Sequence, residues 1–210
     1  MKLSKELLEH HEDVPPDHYD KGIKKLFFLK YYHNKRFSEV SKRISKADII
    51  LDIGCHGGLF TSFLVKGTKA KKVYGIDVSK EAIKLAKKRI NKGIFRVANA
   101  HRLPFKKNLF DGVFCMEVLE HVENPRTVLN EMRRVMKKGG YGLVLVPTDS
   151  VLFKVVWWWW NRVNPVWEHT HIQSFTENSL DKLIRDAKFK ILEIGYFHFG
   201  MLKLIKFQKL

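Results

Sequence analysis

The sequence predicts a single α/β domain, a doubly wound and mostly parallel sheet with helices on both faces. Three observations carry this. The run Ile49-Ile50-Leu51-Asp52-Ile53 is short, β-branched and apolar, which is how a strand buried on both sides reads. It breaks at once into Gly54-Cys55-His56-Gly57-Gly58, and Leu59 to Val65 then places apolar residues at helical spacing. Strand, glycine turn and helix open a nucleotide-binding βαβ unit, in which glycines admit a ligand to the backbone and the helix start offers unpaired N–H groups. Beyond it, strand-like and helix-like segments alternate to the end of the chain.

Taken in order, residues 1–46 form a helical preface, broken at Val14-Pro15-Pro16-Asp17 and apolar through Leu26, Phe27, Leu29, Tyr31, Tyr32, Phe37, Val40 and Ile44. After the glycine-turn helix, Val73-Tyr74-Gly75-Ile76-Asp77 reads as a second strand ending in a carboxylate. Ser79 can cap the next helix, whose inner face is Ala82, Ile83, Leu85, Ala86 and Ile90, with Glu81 in its first turn. Phe95 to Ala98 is a third strand and Phe110 to Met116 a fourth. Asn124 and Pro125 start a helix through Val128, Leu129, Met132, Val135 and Met136, with Gly139-Gly140 expected to stop it. Tyr141 to Val146 is a fifth strand, ended by Pro147. A helix opens near Phe175-Thr176, with Thr176 and Ser179 offering capping groups, and passes through Leu180, Ile184 and Ala187. A sixth strand, Phe189 to Tyr196, follows, and Phe197 to Phe207 supplies a seventh.

Asp77 lies nineteen positions past Gly58, a distance that suits an acidic residue bonding the two hydroxyls of a ribose. The dinucleotide fingerprint G-x-G-x-x-G, counted from Gly54, fails at His56 and Leu59, which argues against a nicotinamide oxidoreductase. Asp52, placed before the first glycine, suits a ligand carrying an ammonium group better than a pyrophosphate. The stretch resembles the S-adenosylmethionine (SAM) motif D-x-G-C-G-x-G of Rossmann-like methyltransferases, of the methyltransferase domain 11 type. His56 stands where that motif has its middle glycine. Asn99-Ala100, leading to Leu103-Pro104-Phe105, resembles the family's adenine-contacting segment, and Leu119-Glu120-His121-Val122 resembles its L-E-H-V segment. From Leu51 to Pro147 the resemblance is nearly continuous.

The resemblance implies the sheet order 3-2-1-4-5-7-6 with strand 7 antiparallel, and SAM as cofactor with S-adenosylhomocysteine as product. It divides the chain into an N-terminal helical cap (1–46), a SAM-binding core (47–148), an acceptor-side lid or insertion (149–174) and a C-terminal helix with strands (175–210). The implied cofactor contacts are Asp52, Gly54, Cys55, Gly57, Gly58, Asp77, Val78, Asn99, Ala100 and Met116, with the Asn99 carbonyl accepting from the adenine amino group. Tyr19 resembles the aromatic residue the family lays over the cofactor, or is a packing tyrosine. No nucleophile–base–acid constellation is present. The sulfonium is already a good leaving group, so alignment and exclusion of water suffice for many acceptors. A hydroxyl acceptor would need a base, for which His121, His169 and His171 are the candidates; each also reads as a structural histidine. No cluster with metal-ligand spacing accompanies them.

The 210 residues carry 39 Lys and Arg against 22 Asp and Glu, a formal net charge of +17, which favours anionic partners or simply a lysine-rich surface. Two cysteines, Cys55 and Cys115, make no disulfide framework and are expected reduced. The charged N-terminus has no apolar leader core, and no apolar run reaches the ~18 to 20 residues that span a bilayer, so a cytoplasmic location, peripheral to the membrane in one reading, is expected.

All five tryptophans lie between Ser150 and Thr170, four of them consecutive as Trp157 to Trp160 and the fifth at Trp167. Four adjacent rings surround a helix turn, so one core cannot bury them all. The segment Trp157–Trp167 therefore reads as packing under the N-terminal residues, a homodimer face, a lid over an apolar acceptor, or a membrane-interface edge flanked by Lys154 and Arg162. The acceptor expected is an apolar small molecule or a lipid-like one. RNA or protein methylation, or an inactive SAM-binding partner subunit, are the alternatives. A nucleic-acid acceptor is disfavoured because strand four ends in Cys115-Met116-Glu117, without the Asn-Pro-Pro-Tyr type of motif used on flipped bases.

Overall fold

A computed structural model describes residues 27–163, 174–176 and 178–210. Seven strands form one sheet: β1 (Ile49–Ile53), β2 (Lys72–Asp77), β3 (Ile94–Val97), β4 (Phe110–Met116), β5 (Met136–Pro147), β6 (Phe189–Phe197) and β7 (Leu202–Lys209). Their order is β3-β2-β1-β4-β5-β7-β6, as expected. The first five run parallel, and Leu51 of β1 faces Tyr74 of β2 on one side and Val113 of β4 on the other. β7 lies antiparallel between β5 and β6, with Ile205 opposite both Val144 and Ile194.

The helices are α1 (Phe27–Ser41), α2 (Leu59–Thr68), α3 (Lys80–Arg89), α4 (Pro125–Val135), α5 (Val151–Val163) and α6 (Ser179–Asp186). Because side chains alternate along a strand, β1 feeds two cores. Leu51 and Ile53 pack with Val128, Leu129 and Met132 of α4 and with Leu180 and Ile184 of α6. Ile50 packs on the other face with Val40 of α1 and Leu64 of α2. Burial on both faces explains why β1 reads as an apolar run with a single polar residue. The one polar residue in it, Asp52, is 2% exposed.

The caps predicted at Ser79 and Asn124 form. Ala82 N–H donates to Ser79 Oγ at 3.2 Å, and Thr127 N–H donates to Asn124 Oδ1 at 3.1 Å with Pro125 opening α4. By contrast, α6 begins at Ser179 after Asn178, which makes no side-chain cap, and Ser179 Oγ–H instead donates to Thr176 C=O at 3.2 Å. One boundary is corrected. Gly139-Gly140 does not stop α4, which ends at Val135 and passes directly into β5 at Met136. The glycines instead lie where the β4–β5 register shifts between Phe110 and Gly112, and Gly139 takes φ +76°. α1 is tied to the far edge of the sheet. Arg43, two residues past its end, pairs with Glu193 of β6 at 2.9 Å, and the Tyr32 ring within it stacks on His198 at 4.5 Å between centroids.

Candidate functional site

The C-terminal ends of β1, β2 and β4 meet at one edge of the sheet, where a doubly wound fold places its ligand. The glycine turn between β1 and α2 is pinned to β2: Gly54 and Cys55 N–H groups both donate to Ile76 C=O, at 2.8 and 3.0 Å. Gly54 has φ +73°, and a Cβ there would run into the Val118 methyl. Gly58, at φ +77°, would bring a Cβ within 3.1 Å of Ala86 Cα in α3. Both glycines are required by close approach as well as by backbone sign. His56 takes φ +44° despite its side chain, so the departure from the glycine motif is accommodated as a left-handed residue.

That conformation aims the His56 N–H at Asp77. Asp77 Oδ2 accepts from it at 2.8 Å and Oδ1 accepts from Ser79 N–H at 3.0 Å. The carboxylate at the end of β2 is thereby fixed in orientation, and each oxygen still has acceptor capacity for a ligand hydroxyl. Val78 follows it, half-buried. Beneath the turn, Asp52 Oδ2 accepts from Thr61 Oγ at 2.6 Å. Burial pushes the Asp52 carboxyl up to about 7, the Thr61 bond opposes this, and the neighbouring Asp77 charge adds to it. Arg89, at the end of α3, donates to Gly57 C=O at 2.6 Å and braces the turn from outside.

The Asn99 expectation needs correction. Its Oδ1 accepts from His101 N–H at 2.9 Å and lies 2.8 Å from His101 Nδ1. A backbone N–H can only donate, so the near atom is the carbonyl oxygen. Asn124 N–H in turn donates to His101 Nε2 at 3.3 Å, which leaves Nδ1 as the protonated nitrogen. With both lone pairs of Oδ1 taken by His101, Asn99 turns its amide NH2, not its carbonyl, toward other partners. Ala100 beside it is buried.

Met116 ends β4 in a buried position, and Glu117 follows at φ +56°. Arg36 of α1 reaches over to pair with Glu117 at 2.7 Å, and His33 Nδ1 lies 3.1 Å from Arg36 Nη1. Glu120 is 1% exposed, and burial, reinforced by the Glu117 charge, pushes its carboxyl well above the usual range. Its Oε2 has no hydrogen-bond partner among the described residues. His121 lies half-buried in the short 3-10 turn Leu119–His121. Cys55 and Cys115 are buried free thiols whose pKa values burial drives well above the ordinary thiol value, which disfavours the thiolate. Tyr19, His169, His171 and Trp167 lie outside the described residues. Among the described residues no cluster of His, Cys, Asp or Glu is arranged to hold a metal. The braces at Arg89, His101 and Arg36 have no local signal in the sequence, since each depends on a contact between separate elements.

Residues 51–144 match the family model described as a methyltransferase domain. The chain is 30% identical over 176 residues to a demethylmenaquinone methyltransferase of Lactiplantibacillus plantarum, covering 72% of this chain and 74% of that one. It is 36% identical over 111 residues to an uncharacterized methyltransferase of Schizosaccharomyces pombe, covering 48% of this chain but only 40% of the yeast protein. Its fold superposes on magnesium protoporphyrin IX methyltransferase of Synechocystis with a TM-score of 0.75, 16% identity and coverage of 99% and 100%.

Proposed function

Because this chain belongs to the Rossmann-like methyltransferase family, we propose that it transfers the methyl group of SAM to an apolar small-molecule or lipid-like acceptor. The observation that carries the reading is the oriented Asp77 carboxylate, held by His56 and Ser79 N–H groups beside a left-handed glycine turn. The residues fit the cofactor. Asp77 would take the ribose diol, Asn99 and the Ala100 N–H the adenine edge, and Asp52 with the turn the charged amino-acid end. Bound SAM supplies an activated methyl on a sulfonium leaving group. What the chain contributes is orientation: the glycine turn and Asp77 fix the ligand, while Met116 and its neighbours wall off water at the end of β4. An acceptor hydroxyl would hand its proton to His121, His169 or His171; a carbon or amine acceptor needs positioning alone. The apolar acceptor class is supported by the exposed tryptophans of α5 and by the demethylmenaquinone relative.

Calorimetry with SAM and S-adenosylhomocysteine tests the site. Asp77→Ala should weaken both by on the order of 1.5 to 3 kcal/mol, the loss of a charge-assisted hydrogen bond. Undiminished affinity in the folded variant, or a preference for NAD, overturns the assignment. Transfer of label from SAM into an apolar extract then separates an enzyme from a binding subunit.

A further inference from the structure

We infer that α5, together with Phe199 and Tyr31, forms a docking surface for an anionic lipid bilayer. An ordinary surface helix turns its apolar stripe inward. In α5 the apolar stripes point outward. Val151, Val155 and Trp158, at i, i+4 and i+7, are 77%, 57% and 57% exposed. Leu152, Val156 and Trp159 form the adjacent stripe and are exposed as well. Thirteen residues make a helix about 20 Å long. Among the described residues no helix is long and apolar enough to cross a membrane, so this one would lie in the interface plane.

A second apolar element stands beside it, from a different part of the chain. Thr148, just before α5, donates its Oγ–H to Gly200 C=O at 2.7 Å and its N–H to Met201 C=O at 2.9 Å. These bonds hold the β6–β7 turn next to the start of the helix. At its tip Phe199 is 91% exposed. Tyr31 of α1, 59% exposed, meets the neighbouring His198 edge-on. The turn and α5 both sit at the end of β5 where Pro147 pairs with Leu202. This is the C-terminal edge of the parallel strands, the edge that also carries the candidate site.

Charge selects the occupant. Lys154 is 63% exposed on the helix flank, 4.0 Å from the Asp149 carboxylate, and the Arg162 guanidinium lies over the Trp158 ring at 4.0 Å. The chain carries +17 overall, so a second copy would meet like charge, whereas an anionic bilayer offers acyl chains to the aromatics and negative headgroups to the cations. The inference does not depend on methyl transfer, and its test contains neither SAM nor acceptor.

The test is co-sedimentation with phosphatidylcholine vesicles, alone and with roughly one-third phosphatidylglycerol, alongside tryptophan fluorescence. The wild type should bind the anionic vesicles, shift its emission to the blue, and lose binding as salt rises. Trp158→Ser with Trp159→Ser leaves the charge untouched and should weaken binding at least about tenfold. Phe199→Ser, at an exposed turn tip, should give a smaller, severalfold loss and keeps the test sound if the double variant unfolds. No binding by the wild type overturns the inference. So does binding by both variants equal to wild type, which would show attraction by charge alone. A wild-type dimer that Trp158→Ser and Trp159→Ser dissociate, with no vesicle binding, would assign the face to a second copy instead.

Discussion

Replacing Asp52 by Asn should change how stability depends on pH, in a direction the structure fixes. Asp52 is fully buried under the glycine turn, and its carboxyl is raised from 3.8 to about 7, chiefly by burial. The folded state therefore keeps a proton that the unfolded chain loses near pH 4. Between about pH 4 and 7 the native state binds more protons, so this group makes stability fall as pH rises. A shift of roughly three units at 1.36 kcal/mol per unit amounts to about 4 kcal/mol above pH 7. Asn is neutral at every pH, and its carbonyl can still accept from Thr61 Oγ–H, now 2.6 Å from Asp52. Urea unfolding of both proteins, from pH 4.5 to 8, isolates the effect as a difference. Asp52→Asn should match the wild type at the acid end and exceed it by on the order of 2 to 4 kcal/mol at pH 8. A difference that does not vary with pH would mean Asp52 is ionised throughout, and the reasoning fails. SAM binding supplies a second reading. With only about a tenth of Asp52 ionised at pH 6, wild-type affinity should rise about tenfold by pH 8, and Asp52→Asn should flatten that rise.

His56→Gly should stabilise the fold by about 0.5 to 1 kcal/mol, since a side chain at φ +44° costs about 1 to 2 kcal/mol and glycine returns part of that as unfolded-chain entropy. The N–H donated to Asp77 survives the change, so SAM affinity should hold within about threefold; a larger loss in calorimetry would show that the imidazole itself meets the ligand. His101→Ala should remove a pH dependence of the opposite sense. Burial holds His101 below its ordinary 6.5, so the wild type loses stability as pH falls through that range, when a proton on Nε2 would oppose the Asn124 N–H. Unfolding curves between pH 7.5 and 5 check this, and a slope unchanged in His101→Ala would refute it.

The parts of the fold legible in the sequence are those written by near neighbours. The β1 run, the glycine turn and the caps at Ser79 and Asn124 all follow from residues within a few positions of one another. So does Asp77 as the end of β2, because strand length and pattern place it. The end of α4 is not legible in the sequence, because Gly139-Gly140 is a strong stop signal that a strand irregularity can equally use. Which polar atom Asn99 presents outward is not legible locally, because it depends on the tautomer of His101 two positions away and on Asn124 beyond it. Arg89 reaching Gly57 and Arg36 reaching Glu117 span 32 and 81 positions, and nothing in the local pattern announces them. The sheet order past β5 came through the family resemblance, since periodicity alone does not say which edge a late strand joins.

The Arg36–Glu117 pair has a consequence for cooperativity. Arg36 belongs to α1, outside the stretch 51–144 that matches the methyltransferase domain, yet it anchors the residue that follows Met116 in a left-handed backbone conformation. A ligand that favours one arrangement of the β4 end must then also favour the docked α1, and docking must tighten the ligand by the same factor. Amide exchange in α1 should slow on saturation with SAM, and Arg36→Ala should abolish that protection while lowering SAM affinity to the same extent. The helix ahead of the core is in this sense an effector built into the chain.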